Sequence, residues 1–84
     1  MTIEVTLADS AWQDVEAGVE ALLDQWLVAA GDAVRAGQPL ARVVLVKANL
    51  DVVAPAAGRV AALRVAAGDT FKRGQAIAIL QEAP

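Results

Sequence analysis

The chain has 84 residues, a formal net charge of −3, and no histidine, cysteine or tyrosine. Without imidazole or thiol groups it cannot build a histidine general base, a Ser-His-Asp triad, a thiolate metal site or a disulfide. The excess of Asp and Glu over Lys and Arg argues against a nucleic-acid-binding surface, because such a surface needs clustered Lys and Arg. The apolar runs are shorter than the ~20 residues that span a bilayer, and no secretory signal precedes them. We therefore expect one cytoplasmic domain over residues 1–84, with no membrane association and no catalysis of its own.

Two patterns compete in the N-terminal part of the chain. Residues 2–7 alternate apolar and polar side chains, which predicts a half-buried β-strand. In residues 11–30 the apolar side chains recur at helical spacing, with Ser10 and Gln13 as a possible capping box. Taken alone, this second segment predicts an amphipathic helix, which Gly18 would weaken by about 1 kcal/mol.

An internal repeat decides between these patterns. Residues 28–32, Val-Ala-Ala-Gly-Asp, return as residues 65–69, and each copy is followed by Gly-Gln after four intervening residues. A strand–turn–strand unit of this kind cannot bury its apolar face alone, so two copies packed face to face predict a small sandwich. Residues 59–65 read as a strand, and by symmetry residues 20–28 should be a strand as well. The helical pattern is then limited to a short turn at residues 11–16, and residues 76–81 close the second sheet.

A candidate hairpin lies between the two repeats. The β-branched runs at residues 43–46 and 50–53 flank a polar break at Lys47, Ala48 and Asn49, which predicts a β-hairpin. We expect Asn49 to adopt the unusual backbone angles of the turn. Lys47, one of two lysines in the chain, would then lie at an exposed tip. On this stretch alone, a solvated turn lysine and a functional lysine are equally compatible with the pattern.

The order of these features resembles the biotinyl/lipoyl attachment family over about residues 21–80. The first half matches the family's pattern at Trp26, Leu27, Val28, Gly31, Asp32, Val34, Gly37, Pro39 and Leu40. The second half matches it at Ala54, Pro55, Gly58, Val60, Gly68, Asp69, Gly74 and Ile77. Lys47 lies where the family carries its modified lysine. Trp26 and Ala48 resemble the lipoyl branch, typified by the acyltransferase components of 2-oxoacid dehydrogenases.

The resemblance implies an all-β fold, a flattened sandwich (a barrel-sandwich hybrid) of two small antiparallel sheets with quasi-twofold symmetry. It implies a lipoyl swinging arm on Lys47 that shuttles acyl groups and electrons between active sites of a multienzyme complex. The implied partners are a lipoate ligase or lipoyl transferase and the dehydrogenase and acyltransferase components, with the carrier itself a monomer. Seven residues are expected to form turns: Gly31, Asp32, Gly37, Gly58, Gly68, Asp69 and Gly74.

The chain departs from the family at the lysine itself. Biotin carriers place methionine on both sides of the lysine, where this chain has Val46 and Ala48. Lipoyl domains of the 2-oxoacid dehydrogenase type have Glu-Thr-Asp before it, where this chain has Val44, Leu45 and Val46. The expected recognition surface of the hairpin consists of Val44, Leu45, Val46, Ala48 and Asn49. Biotin on Lys47, and an unmodified module that only binds other proteins, remain open as alternatives.

Overall fold

The chain forms eight β-strands and one short 3₁₀ helix, Asp9–Trp12, in the computed structural model, which describes residues 1–82. The strands are β1 (Thr2–Val5), β2 (Ala21–Trp26), β3 (Ala33–Val34), β4 (Pro39–Leu45), β5 (Ala48–Val53), β6 (Gly58–Leu63), β7 (Thr70–Phe71) and β8 (Ala78–Glu82).

The strands make two antiparallel sheets of four strands each. One sheet has the order β1-β8-β6-β3, and the other has the order β5-β4-β2-β7. Each sheet thus contains two strands from each half of the sequence. The two-residue edge strands β3 and β7 each pair with a strand of the other half, β3 with β6 and β7 with β2. This exchange is the quasi-twofold arrangement that the repeat predicts. The predicted all-β flattened sandwich is confirmed.

The repeated Gly-Gln pairs have the same role in both halves. The side-chain carbonyl of Gln38 accepts a hydrogen bond from the backbone N–H of Arg35 at 3.0 Å. Thirty-seven positions later, Gln75 accepts one from the backbone N–H of Lys72, also at 3.0 Å. Each glutamine closes a tight turn between a short strand and the next extended segment, so the sequence repeat reflects repeated turn geometry.

The helical spacing after β1 does not produce a long helix. The expected turn at residues 11–16 is instead the 3₁₀ helix Asp9–Trp12, whose N-cap makes no side-chain hydrogen bond. β2 occupies part of the same stretch because Ala21 and Leu23 alternate into the core with no exposed area. The strands are also shorter than predicted: β1 ends at Val5 and β2 at Trp26. Within residues 1–82 no helix has the length and apolar character needed to cross a bilayer.

The core lies between the two sheets. Phe71 is the largest of its fully buried side chains, with 1% exposure, and the Trp12 ring meets it edge-on with centroids 6.3 Å apart. Both β4 and β5 send side chains into this core, among them Val43 and Val52. Within residues 1–82 no charged side chain is buried. The hairpin formed by β4 and β5 is therefore anchored by apolar packing along its length.

Gly58 differs from its expected role as a turn residue. It is the first residue of β6 and pairs with Glu82 of β8. A Cβ at this position would overlap the carbonyl oxygen of Gln81 and lie 3.0 Å from its carbonyl carbon. Glycine is therefore required here because the backbone of β8 approaches closely.

Candidate functional site

The β4–β5 hairpin has a tip of only two residues. Leu45 and Ala48 pair across the two strands, so Val46 and Lys47 alone connect them. The prediction of Asn49 as a turn residue is wrong, because it lies in β5 opposite Val44. The prediction that Lys47 lies exposed at the tip agrees with its position here.

Val46 adopts the unusual backbone angles that had been expected of Asn49. Its φ is +59°, while that of Lys47 is not positive. A positive φ at the first of the two central residues is the pattern of a type II′ turn, where glycine is preferred. For a β-branched residue this conformation is an outlier. Val46 is 66% exposed, so packing of its own side chain does not compensate for the strain.

Buried residues immediately below the tip hold it in place. Leu45 is 3% exposed and Val43 has no exposed area. β4 is also a central strand, bonded to β5 on one side and to β2 on the other. Within residues 1–82 the side chain of Lys47 makes no hydrogen bond or ion pair. The site is thus an unengaged primary amine on a firmly anchored two-residue loop.

The remaining recognition residues lie in the strands on either side. Val44 is half-buried, Leu45 is buried, and Ala48 and Asn49 are exposed. Of these, Leu45 cannot contact a partner without leaving the core, because its side chain is part of the central cluster.

The predicted turn residues lie away from Lys47 in sequence and support the sheets. Four of the glycines have positive φ values: Gly31 (+95°), Gly37 (+82°), Gly68 (+93°) and Gly74 (+80°). The carboxylate of Asp32 accepts from the backbone N–H of Ala29 at 2.8 Å, whereas Asp69 makes no such side-chain bond within the described residues.

Trp26 is half-buried against the core, and its indole N–H donates to the carbonyl of Val65 at 2.8 Å. This bond ties β2 to the second repeat and gives Trp26 a structural role.

A second concave feature lies away from the tip and was not predicted. The residues that line this groove of about 430 Å³ include Trp12, Val15, Val19, Lys72 and Arg73. The indole nitrogen of Trp12 is buried there without a hydrogen-bond partner. Arg73 lies 3.6 Å from a carboxylate oxygen of Asp9, but both side chains are largely exposed, so this ion pair adds little stability. In the sequence, the feature that pointed to this segment was the helical spacing of its apolar residues, which include Trp12, Val15 and Val19.

Comparison with known proteins identifies the class to which this architecture belongs. The family model described as "Biotin-requiring enzyme", the biotin/lipoyl family, matches residues 13–80. The match covers most of the chain, and the protein belongs to the biotinyl/lipoyl attachment family. Domains of this family are carrier modules that hold covalently attached lipoate or biotin.

A solved structure shares the fold over its full length. It is the solution structure of the lipoyl domain of the 2-oxoglutarate dehydrogenase complex from Azotobacter vinelandii, with a TM-score of 0.76 and 22% sequence identity. The superposition covers 98% of this chain and 100% of that domain. Comparison with curated protein sequences gives no match.

Proposed function

We propose that the protein is a lipoyl carrier and that Lys47 is the residue that bears the lipoyl group. The observation that carries this proposal is the position of Lys47 in a two-residue loop between paired Leu45 and Ala48, with its amine free of other contacts. An enzyme that acylates a lysine needs that amine exposed and held in a defined register. The buried side chains beneath the tip supply that register.

In this role the chain provides the attachment point for the cofactor and does not itself make or break bonds in the substrate. An amide bond between the Lys47 Nζ and the carboxyl carbon of lipoate removes the positive charge and extends the side chain into a long arm. When attached, the dithiolane supplies a group that partner enzymes reduce and acylate. The rigid hairpin keeps the root of the arm fixed, so its end samples a small volume at high effective concentration.

The partners of such a carrier are the lipoate ligase or lipoyl transferase that loads it, and the dehydrogenase and acyltransferase components of a 2-oxoacid dehydrogenase complex. We propose that the protein acts in the cytoplasm. Lipoate is favoured over biotin by the residues beside the lysine, since Val46 and Ala48 replace the methionines of biotin carriers. The lipoyl-domain fold of the Azotobacter structure is compatible with this choice.

The proposal is tested by the intact mass of the protein after incubation with a lipoate ligase, lipoate and ATP, and separately with a biotin ligase, biotin and ATP. We expect a single lipoyl gain that disappears in Lys47→Arg. The matched control is Lys72→Arg, which changes the other lysine of the chain and should leave the gain intact. A biotinyl gain would replace lipoate with biotin in the proposal. No gain with either enzyme, on folded protein, would favour the unmodified module.

A further inference from the structure

The connection between β1 and β2 departs from the quasi-twofold symmetry of the two halves. It spans residues 6–20, whereas its counterpart between β5 and β6 spans only residues 54–57. Long connections in a compact domain usually serve a function. The extra chain length supplies most of the residues that line the groove at Trp12. This groove is therefore a feature that the internal repeat does not account for.

The groove combines an apolar surface with two basic side chains. Its volume of about 430 Å³ lies in the range of small-molecule binding sites. The connection contributes Trp12, Val15 and Val19, and the turn after β7 contributes Lys72 and Arg73. An apolar surface beside two cations fits a ligand that has an apolar body and a negatively charged end.

The two basic side chains are available to such a ligand. Within residues 1–82 the side chain of Lys72 makes no hydrogen bond or ion pair. Arg73 lies 3.6 Å from a carboxylate oxygen of Asp9, and these side chains are 57% and 82% exposed. An ion pair this exposed adds little stability, so a ligand carboxylate can take the place of Asp9. The lining contains one acidic residue, Glu16, against the two basic ones.

The indole N–H of Trp12 gives an independent reason. Trp12 is 2% exposed, and its Nε1 has no hydrogen-bond partner among the described residues. A buried donor without an acceptor lowers stability, so a ligand that supplies an oxygen gains binding energy. Residues 13–19 form neither helix nor strand, and Gly18 among them has a φ of +92°. A small outward movement of this segment lets a ligand oxygen reach the N–H.

We propose that the groove is a binding site for an aliphatic carboxylate. The hydrocarbon chain packs against Val15 and Val19, the carboxylate is held by Lys72 and Arg73, and an oxygen of the ligand accepts the hydrogen bond of the Trp12 indole. This binding is non-covalent and requires no modification of the chain. The inference is independent of the proposed function.

The test is a titration of the ¹⁵N-labelled protein with octanoate, followed by NMR. The chain has two tryptophans and so gives two indole N–H signals. We expect the Trp12 signal to shift saturably because its proton gains an acceptor. The Trp26 signal is the internal control and should stay in place, because its N–H already donates to the carbonyl of Val65. Octan-1-ol, which has the same chain length and no charge, should bind more weakly than octanoate.

Three variants locate the anion. In Lys72→Gln/Arg73→Gln we expect the Kd for octanoate to rise about fivefold, since two exposed charge contacts are lost. Asp9→Asn should lower the Kd roughly twofold, because a competing carboxylate is removed from Arg73. The matched control Arg35→Gln/Arg42→Gln makes the same change in net charge at exposed residues outside the groove and should leave the Kd unchanged.

A Trp12 signal that does not move with octanoate would overturn the inference, as would equal affinities for octanoate and octan-1-ol. An equal rise in Kd in the two double variants would also overturn it, because net charge rather than the groove would then explain binding. The variant Lys47→Arg should bind octanoate as the wild type does. Failure of octanoate binding therefore leaves the carrier role intact, and failure of lipoylation leaves the groove site intact.

Discussion

The backbone N–H of Gly31 donates to the carbonyl of Val60 at 2.7 Å, which connects the first repeat to the second half of the chain. The quasi-twofold symmetry reproduces this bond. Thirty-seven positions after Gly31, Gly68 donates to the carbonyl of Leu23, also at 2.7 Å, and Leu23 lies 37 positions before Val60. Each Gly-Asp turn therefore connects its own half of the chain to a strand of the other half.

This symmetry predicts equal losses of stability from two glycine substitutions. Gly31→Ala and Gly68→Ala each force a side chain into a φ of +95° or +93°, with no neighbouring atom in the way. We expect each change to lower the free energy of unfolding by about 1–2 kcal/mol through backbone strain alone. Urea denaturation of both variants measures this. A loss at one position more than twice that at the other would contradict the symmetry of the two turns.

Gly58→Ala should cost more than either of these changes. Its Cβ would overlap the Gln81 carbonyl, so the β6 and β8 backbones must separate. We expect a loss of about 3 kcal/mol or more, because a steric clash inside a paired sheet cannot be relieved by moving one side chain. The same denaturation series compares it directly with Gly31→Ala. An equal loss would show that β8 adjusts easily and that close approach is not the reason for glycine at this position.

Val46→Gly should stabilise the unmodified protein. Glycine adopts a φ of +59° without strain, and we expect the relief of about 1–3 kcal/mol to outweigh the roughly 0.5–1 kcal/mol that glycine costs through chain entropy. Val53→Gly is the control, since it removes an exposed valine from the same hairpin at a position without a positive φ. That variant should lose about 1 kcal/mol. Equal losses in the two variants, measured by thermal and urea unfolding, would mean that Val46 is not strained.

The same variant should separate stability from function. Because Val46 belongs to the expected recognition surface beside Lys47, Val46→Gly should accept a lipoyl group more slowly at limiting carrier concentration, although it is more stable. Initial rates of transfer at fixed ligase concentration measure this. A rate equal to that of the wild type would place the docking contact elsewhere.

The repeat made most of the fold predictable. Gly31 and Gly68, with the matching Gly-Gln pairs, indicated two equivalent halves. From this symmetry a strand was correctly predicted at β2, where the local pattern alone predicted a long helix. The helical spacing was misleading because Trp12 and Val15 pack against the core from a short 3₁₀ turn and the loop after it. Local periodicity alone does not distinguish the two arrangements.

The details of the site depended on information that the sequence does not carry locally. Asn49 is a better turn former than Val46 by propensity, and only the Leu45–Ala48 pairing shows which of them lies in the loop. The role of Gly58 required the position of β8 as its neighbour.

The most direct test of the central claim is peptide mapping of the protein isolated from the cells that make it. Trypsin cleaves after unmodified lysine and not after a lysine acylated on its Nζ. A lipoylated Lys47 therefore predicts one uninterrupted peptide over residues 43–59, between the cleavage sites at Arg42 and Arg59, with the mass of one lipoyl group added. Recovery only of the two unmodified peptides, residues 43–47 and 48–59, from cells that lipoylate their other carriers would contradict the claim that Lys47 bears the swinging arm.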